Sequence, residues 1–136
     1  MAPETTTYSL KTLVPADYDT VVERVREALD AEGFGVLTEI DMKATMKKKL
    51  DVDVRRYIIL GACNAPIAHA ALMFETDLGL LLPCNVIVYE GEDTSETVVA
   101  AIDPVVQLGV TGNDDITPMA EEVRGKLARV LESLTS

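Results

Sequence analysis

The chain has 136 residues, of which 48% are hydrophobic and only 4% aromatic, so we expect a single domain, residues 1–136, with a core of aliphatic side chains. Its formal net charge of −11 disfavours nucleic acid as a partner, because such binding relies on basic residues that neutralise phosphates. No apolar run reaches the ~18 residues of a spanning helix and the N-terminus lacks a secretory pattern, which predicts a cytoplasmic protein with no membrane association.

The first half of the chain alternates between strand and helix patterns. Asp17 can accept backbone N–H bonds at the start of the first helix, Gly33 can end that helix, and Asp41 can cap the next one. Hydrophobic periodicity sets the remaining bounds. The predicted elements are a strand over 6–13, a helix over 17–32, a strand over 35–41 and a short helix over 42–50.

The second half is richer in strands and ends in a long helix. Asn64 or Ala65 can cap a short helix, Thr117 is the predicted N-cap of the last helix, and 85–102 has the pattern of a hairpin. The predicted elements are strands over 57–63, 80–90 and 96–102, helices over 65–74 and 117–134, and a loop between 103 and 116. The fold class is therefore α+β: an antiparallel curved sheet packed by two long helices, ordered β-α-β-β-β-β-α, with short helical insertions.

Two Cys-Asn steps are the most informative local feature. Cys63-Asn64 ends one predicted strand and Cys84-Asn85 begins another. If these strands are antiparallel neighbours, the two cysteines lie close together. Cys63 also precedes a helix start, where backbone N–H groups stabilise a thiolate, so we predict that it is reactive.

Two other interpretations of these residues are possible. His69 could join both cysteines in a three-ligand set for a soft metal, but no Cys-x-x-Cys is present and the ligand count falls short, so no metal and no cofactor are predicted. Alternatively, both cysteines are small buried hydrophobes and both asparagines are cap or turn residues. The predicted site residues are Cys63, Asn64, His69, Pro83, Cys84 and Asn85, with no catalytic residue assigned.

Half of the basic residues fall in one short stretch, which suggests either a small positive patch or an ordinary solvated face. These residues are Lys43, Lys47, Lys48, Lys49, Arg55 and Arg56.

Three segments carry a resemblance to a known family: 61–64 (GACN), 80–90 (LLLPCNVIVYE) and 101–104 (AIDP). Together they resemble domain-of-unknown-function family number 302. The resemblance implies a TATA-box-binding-protein-like α+β fold and a dimer, and it implies no established activity. The matching motif residues are Cys63, Asn64, Pro83, Cys84, Asn85, Asp103 and Pro104.

These observations support three hypotheses, and none decides whether the protein is an enzyme. The first is a small binding protein that captures a small molecule or a sulfur species between Cys63, Cys84 and the 65–74 helix. The second is a homodimeric structural or interaction module in which small residues permit close packing. The third is a thiol-disulfide redox protein that cycles Cys63 and Cys84. The small residues of the second hypothesis are Gly61, Ala62, Ala68, Ala70 and Ala71.

Overall fold

The computed structural model describes residues 2–136 and contains six strands, five α-helices and one 3-10 helix in those residues. The elements are β1 (Glu4–Thr5), β2 (Ser9–Val14), α1 (Tyr18–Ala31), β3 (Gly35–Asp41), α2 (Met42–Leu50), β4 (Tyr57–Cys63), α3 (Ala65–Phe74), the 3-10 helix (Thr76–Leu81), β5 (Cys84–Glu90), β6 (Thr97–Ile102), α4 (Pro104–Gly109) and α5 (Thr117–Ser133).

All six strands join in one curved sheet whose order is β1-β2-β6-β5-β4-β3, and every neighbouring pair is antiparallel. The β5–β6 hairpin predicted over 85–102 is confirmed. So is the fold class, with β1 as an added short edge strand. The pairing of β4 with β5 places Ala62 opposite Cys84 and Gly61 opposite Asn85, so the two Cys-Asn steps do meet at the same end of the sheet.

One face of the sheet is covered by α1 and α5, as the periodicity of both helices predicts. Val25 and Leu29 of α1 and Leu127 and Leu131 of α5 are buried against the inward side chains of the strands. Complete burial of an aliphatic side chain of this kind contributes about 1.5–3 kcal/mol. The sheet and its two long helices therefore share the main core of the molecule.

The opposite side of the sheet is called here the open face, because neither long helix covers it. Glu4 of β1 lies on it, opposite Lys11, and strand alternation adds residues of β2 to β6 of which one, Lys11, is charged. They are Ser9, Lys11, Leu13, Thr38, Ile40, Tyr57, Ile59, Gly61, Asn85, Ile87, Tyr89, Val98, Ala100 and Ile102. Glu4 is thus one of the few acidic residues on a largely apolar face, in a chain with 23 acidic residues.

Helix caps match the predictions in most places. Asp17, Asp41 and Asn64 each accept a backbone N–H bond at the start of the following helix. Gly33 has a φ of 84°, a left-handed conformation that glycine adopts without strain, directly after α1. Thr117 is the exception, because α5 begins with Ile116 in the cap position and no side chain bonds its first N–H groups.

Two other element predictions are wrong. The strand predicted from residue 80 begins only at Cys84, since Thr76–Leu81 forms the 3-10 helix, with Leu78 buried and Leu80 exposed. The loop predicted over 103–116 contains α4, because Asp103 caps a helical turn that begins with Pro104. Both additional helices pack near the Cys63 end of the sheet and form a second, smaller core with α3 and α5.

Candidate functional site

Cys63 and Cys84 line one small cavity at the end of β4 and β5, called here the thiol cavity. It has a volume of 30 Å³. Asn64 and Pro83 also line it, and the remaining walls are the aliphatic, aromatic and thioether side chains that α3, α4, α5 and the loops around them direct inward. The structure thus brings together four of the six predicted site residues.

Cys84 is the buried member of the pair. It lies inward beside Ala62, and burial raises the pKa of its thiol to about 11, with the nearby Cys63 as a second cause. Its thiol donates a hydrogen bond to Oε1 of Gln107 at 3.5 Å. Cys84 is therefore a neutral thiol at physiological pH.

Cys63 is a free cysteine that is only partly buried, so it is the more accessible of the two cysteines. The helix start beside it offers fewer free donors than the sequence suggests. Asn64 Oδ1 already accepts the N–H bond of Ile67 at 3.3 Å, and Pro66 has no N–H to offer.

Two predicted site residues lie elsewhere. His69 is exposed on α3 and does not line the thiol cavity. Asn85 follows Cys84 by one residue and therefore lies on the open face, where it borders a separate depression beside Tyr8. In residues 2–136 there is no group of three or more His, Cys, Asp or Glu side chains arranged to hold a metal ion.

Gln107 is the site residue that sequence reasoning missed. Its side chain accepts a hydrogen bond from Cys84 and donates one, through Nε2, to the carbonyl of Leu81. It therefore links α4, the 3-10 helix and the buried thiol. The signal that could have found it is the Asp103-Pro104 pair, which is a typical cap and first-turn combination at the start of α4.

Asp103 itself has a structural role. Its carboxylate is buried, accepts the backbone N–H of Val105 at 2.9 Å and pairs with Nε of Arg124 at 3.0 Å. This arrangement joins α4 to α5 and accounts for the Asp-Pro motif without a ligand.

Within the described part of the chain, no helix combines the length and the apolar character that are needed to cross a membrane.

Comparison with known proteins adds family and fold. Residues 10–134 match the model of a family described as "Domain of unknown function DUF302". A crystal structure of an uncharacterized conserved protein DUF302 from Bacillus stearothermophilus is similar to this chain, with 25% sequence identity and a TM-score of 0.85. The similarity covers 93% of this chain and 98% of the other. No curated protein matches.

Proposed function

The chain belongs to the DUF302 family, and we propose that it is a small binding protein that takes up a sulfur species at Cys63. The observation that carries this proposal is that both cysteines line one apolar cavity, with one thiol accessible and the other buried.

The volume of the thiol cavity limits the size of the ligand. Sites for ordinary small molecules occupy about 300–1,000 Å³, whereas a single water molecule takes a share of about 30 Å³ in the liquid. The thiol cavity, at 30 Å³, accommodates a group of one or very few heavy atoms. One sulfur atom bound to Cys63 meets this limit, and its polarisable surface suits an apolar wall that includes a second sulfur at Cys84.

The corresponding reaction is a thiol exchange with a low-molecular-weight persulfide. The Cys63 sulfur attacks the outer sulfur of R–S–SH, the S–S bond of the donor breaks, and R–SH leaves with the proton released by Cys63. The protein then carries Cys63–S–SH. The reaction transfers one sulfur atom and requires no further oxidant or reductant.

Intact-mass spectrometry after incubation with glutathione persulfide tests the proposal. The wild type and Cys84→Ala should each gain the mass of one sulfur atom, which dithiothreitol removes, and Cys63→Ala should gain none. Equal loading of Cys63→Ala and wild type, or no loading of either, would contradict the proposal. A loss of two hydrogens, with a Cys63–Cys84 crosslink in the peptide map, would instead favour the thiol-disulfide redox protein.

A homodimeric interaction module is the second candidate, and the open face favours it. The small residues first considered for this role do not form a surface: Ala62 and Ala71 are buried, and Gly61 lies beneath Thr38 and Pro83. The part of the open face on β2 and β6 is different, since Leu13 is 51% exposed there and the paired Val98 is also apolar. Two apolar sheet faces can pack about 10 Å apart.

Light scattering after size-exclusion chromatography tests this candidate. Leu13→Glu should convert a dimer to a monomer by burying a charge at the contact. Val110→Glu introduces the same charge at an exposed position on another surface and should leave the dimer intact. A wild type that stays monomeric at high micromolar concentration, or a Leu13→Glu variant that stays dimeric, would exclude this interface.

A further inference from the structure

A groove of 530 Å³ lies where α2 borders the open face. The side chains of Tyr57, Ile59 and Tyr89 form its floor, and Met42 and Met46 of α2 form a wall. The two tyrosine rings stack with their centroids 5.3 Å apart and their planes within 10° of parallel. The groove is distinct from the thiol cavity, with which it shares no residue, and it lies away from the β2 and β6 side of the sheet.

The dimensions and lining of this groove are typical of a small-molecule site. Its volume is within the range of about 300–1,000 Å³ that such sites occupy. Aromatic rings supply rigid apolar contact area, and methionine side chains adapt to the shape of a ligand.

Among the described residues, Arg55 supplies the only charge that lines the groove. Its guanidinium lies 5.7 Å from the ring centroid of Tyr89 and donates a hydrogen bond to the backbone carbonyl of Glu90 at 3.2 Å. Within residues 2–136, no carboxylate lies at ion-pair distance from Arg55, although the chain contains 23 acidic residues.

The neighbouring Arg56 explains why Arg55 lacks a carboxylate partner. Arg56 points to the helix-covered side of the sheet, where it pairs with Glu90 at 3.2 Å and with Asp19 at 3.1 Å. Hydrogen bonds from the backbone of Arg56, and to a lesser extent from its side chain, lower the pKa of Glu90. The Glu90 carboxylate therefore stays ionised and points away from the groove. The basic stretch is thus split between different partners and does not form one positive patch.

We infer that this groove binds a small amphipathic anion, with an aromatic or otherwise apolar body over Tyr57 and Tyr89 and an anionic group on the guanidinium of Arg55. Charge complementarity determines the sign of the ligand, since the described residues that line the groove include one cation and no anion. A planar guanidinium also pairs bidentately with a carboxylate or a sulfonate, which gives orientation as well as attraction.

Three probes of the same shape test this inference: 2-naphthoate, neutral 2-naphthalenemethanol and cationic 2-naphthylmethylammonium. Equilibrium dialysis should show saturable binding of the naphthoate, at least about tenfold tighter than the other two, which corresponds to about 1.4 kcal/mol. Added salt should reduce the difference in affinity between the naphthoate and the other two probes, because the ion pair is partly exposed to solvent.

Methyl NMR localises the probe with internal controls. With methyl-labelled methionine, the naphthoate should shift Met42 and Met46, whereas Met73 on the exposed side of α3 and Met119 in the thiol cavity should not move.

Two arginine variants separate the charge from the general acidity of the chain. Arg55→Gln should abolish the preference for the anion. Arg24→Gln, which removes an exposed cation that lines a different groove, should retain it. Equal affinities for all three probes, an unchanged preference in Arg55→Gln, no saturable binding of the naphthoate, or Met42 and Met46 shifts that follow protein concentration in the absence of probe would each overturn the inference.

Discussion

Alkaline pH should destabilise the protein through the Cys84 thiol. Burial holds the pKa of this group at about 11 in the folded state, against 9.0 for the free side chain. Because the folded pKa is raised, the folded state holds the proton more tightly than the unfolded state between these values. The contribution of the Cys84 thiol to the free energy of unfolding is therefore fully present below about pH 9 and is lost as the pH rises towards about 11.

The size of this loss follows from the two pKa values. Between about pH 8.5 and about pH 10.5, the Cys84 thiol alone should reduce the free energy of unfolding by about 1.7 kcal/mol. Urea denaturation at both pH values, in the presence of a reductant, should show this loss in the wild type. Over the same pH interval, the free energy of unfolding of Cys84→Ala should fall by about 1.7 kcal/mol less than that of the wild type, because the tyrosines and lysines titrate equally in both proteins.

Cys63→Ala is the matched control, because it also removes one thiol. Burial is a larger cause of the raised Cys84 pKa than proximity to Cys63, so this variant should retain most of the pH sensitivity. If wild type and Cys84→Ala lose the same stability between the two pH values, then Cys84 is not a buried neutral thiol and the reasoning is wrong.

Three further substitutions probe the surroundings of the cavity. Asn64→Ala should lower the free energy of unfolding by about 1 kcal/mol through loss of the α3 N-cap, and Asn64→Asp should restore most of it, measured by urea denaturation. Gln107→Ala removes the hydrogen-bond acceptor of Cys84 and should increase the alkylation rate of that thiol by mass spectrometry; an unchanged rate would show that Gln107 does not hold the cavity closed. Gly61→Ala should cost about 1–3 kcal/mol, because an added Cβ would lie 2.7 Å from Cγ of the rigid Pro83 ring, and a melting temperature equal to that of the wild type would contradict this packing.

The sequence predicts the sheet and both long helices because each has a strong period. The apolar positions of α1 recur at helical spacing from Tyr18 to Leu29, and tertiary packing buries that same stripe. The alternation of β5 and β6 and the turn between them leave one antiparallel register. Where the pattern is long and its flanking turn residues are clear, local and tertiary preferences agree.

The short elements were not predictable in the same way. Leu80, Leu81 and Leu82 form an apolar run that periodicity alone cannot assign to strand or helix. In the structure, Leu78 packs inward and Leu80 is almost fully exposed, which a 3-10 turn allows and a buried strand does not. The six residues of α4 are likewise too few for a helical period to emerge.

The sequence predicted the location of the candidate site better than the residues that form it. Antiparallel pairing of two strands was enough to bring Cys63 and Cys84 to the same end of the sheet. The alternation of side chains along a strand separates Cys84 from Asn85, because adjacent residues point to opposite faces of the sheet. The position of His69 on the exposed side of α3 and the contribution of Gln107 depend on how the short helices pack, which no local pattern specifies.

The relative reactivity of the two thiols tests the central claim most directly. Iodoacetamide alkylation of the native protein, followed by peptide mass spectrometry, should modify Cys63 and leave Cys84 unmodified until urea unfolds the chain. Cys84→Ala should react at the wild-type rate, and Cys63→Ala should not react in the native state. Protection of both cysteines in the native protein, or modification of Cys84 before Cys63, would contradict a sulfur-binding site centred on Cys63.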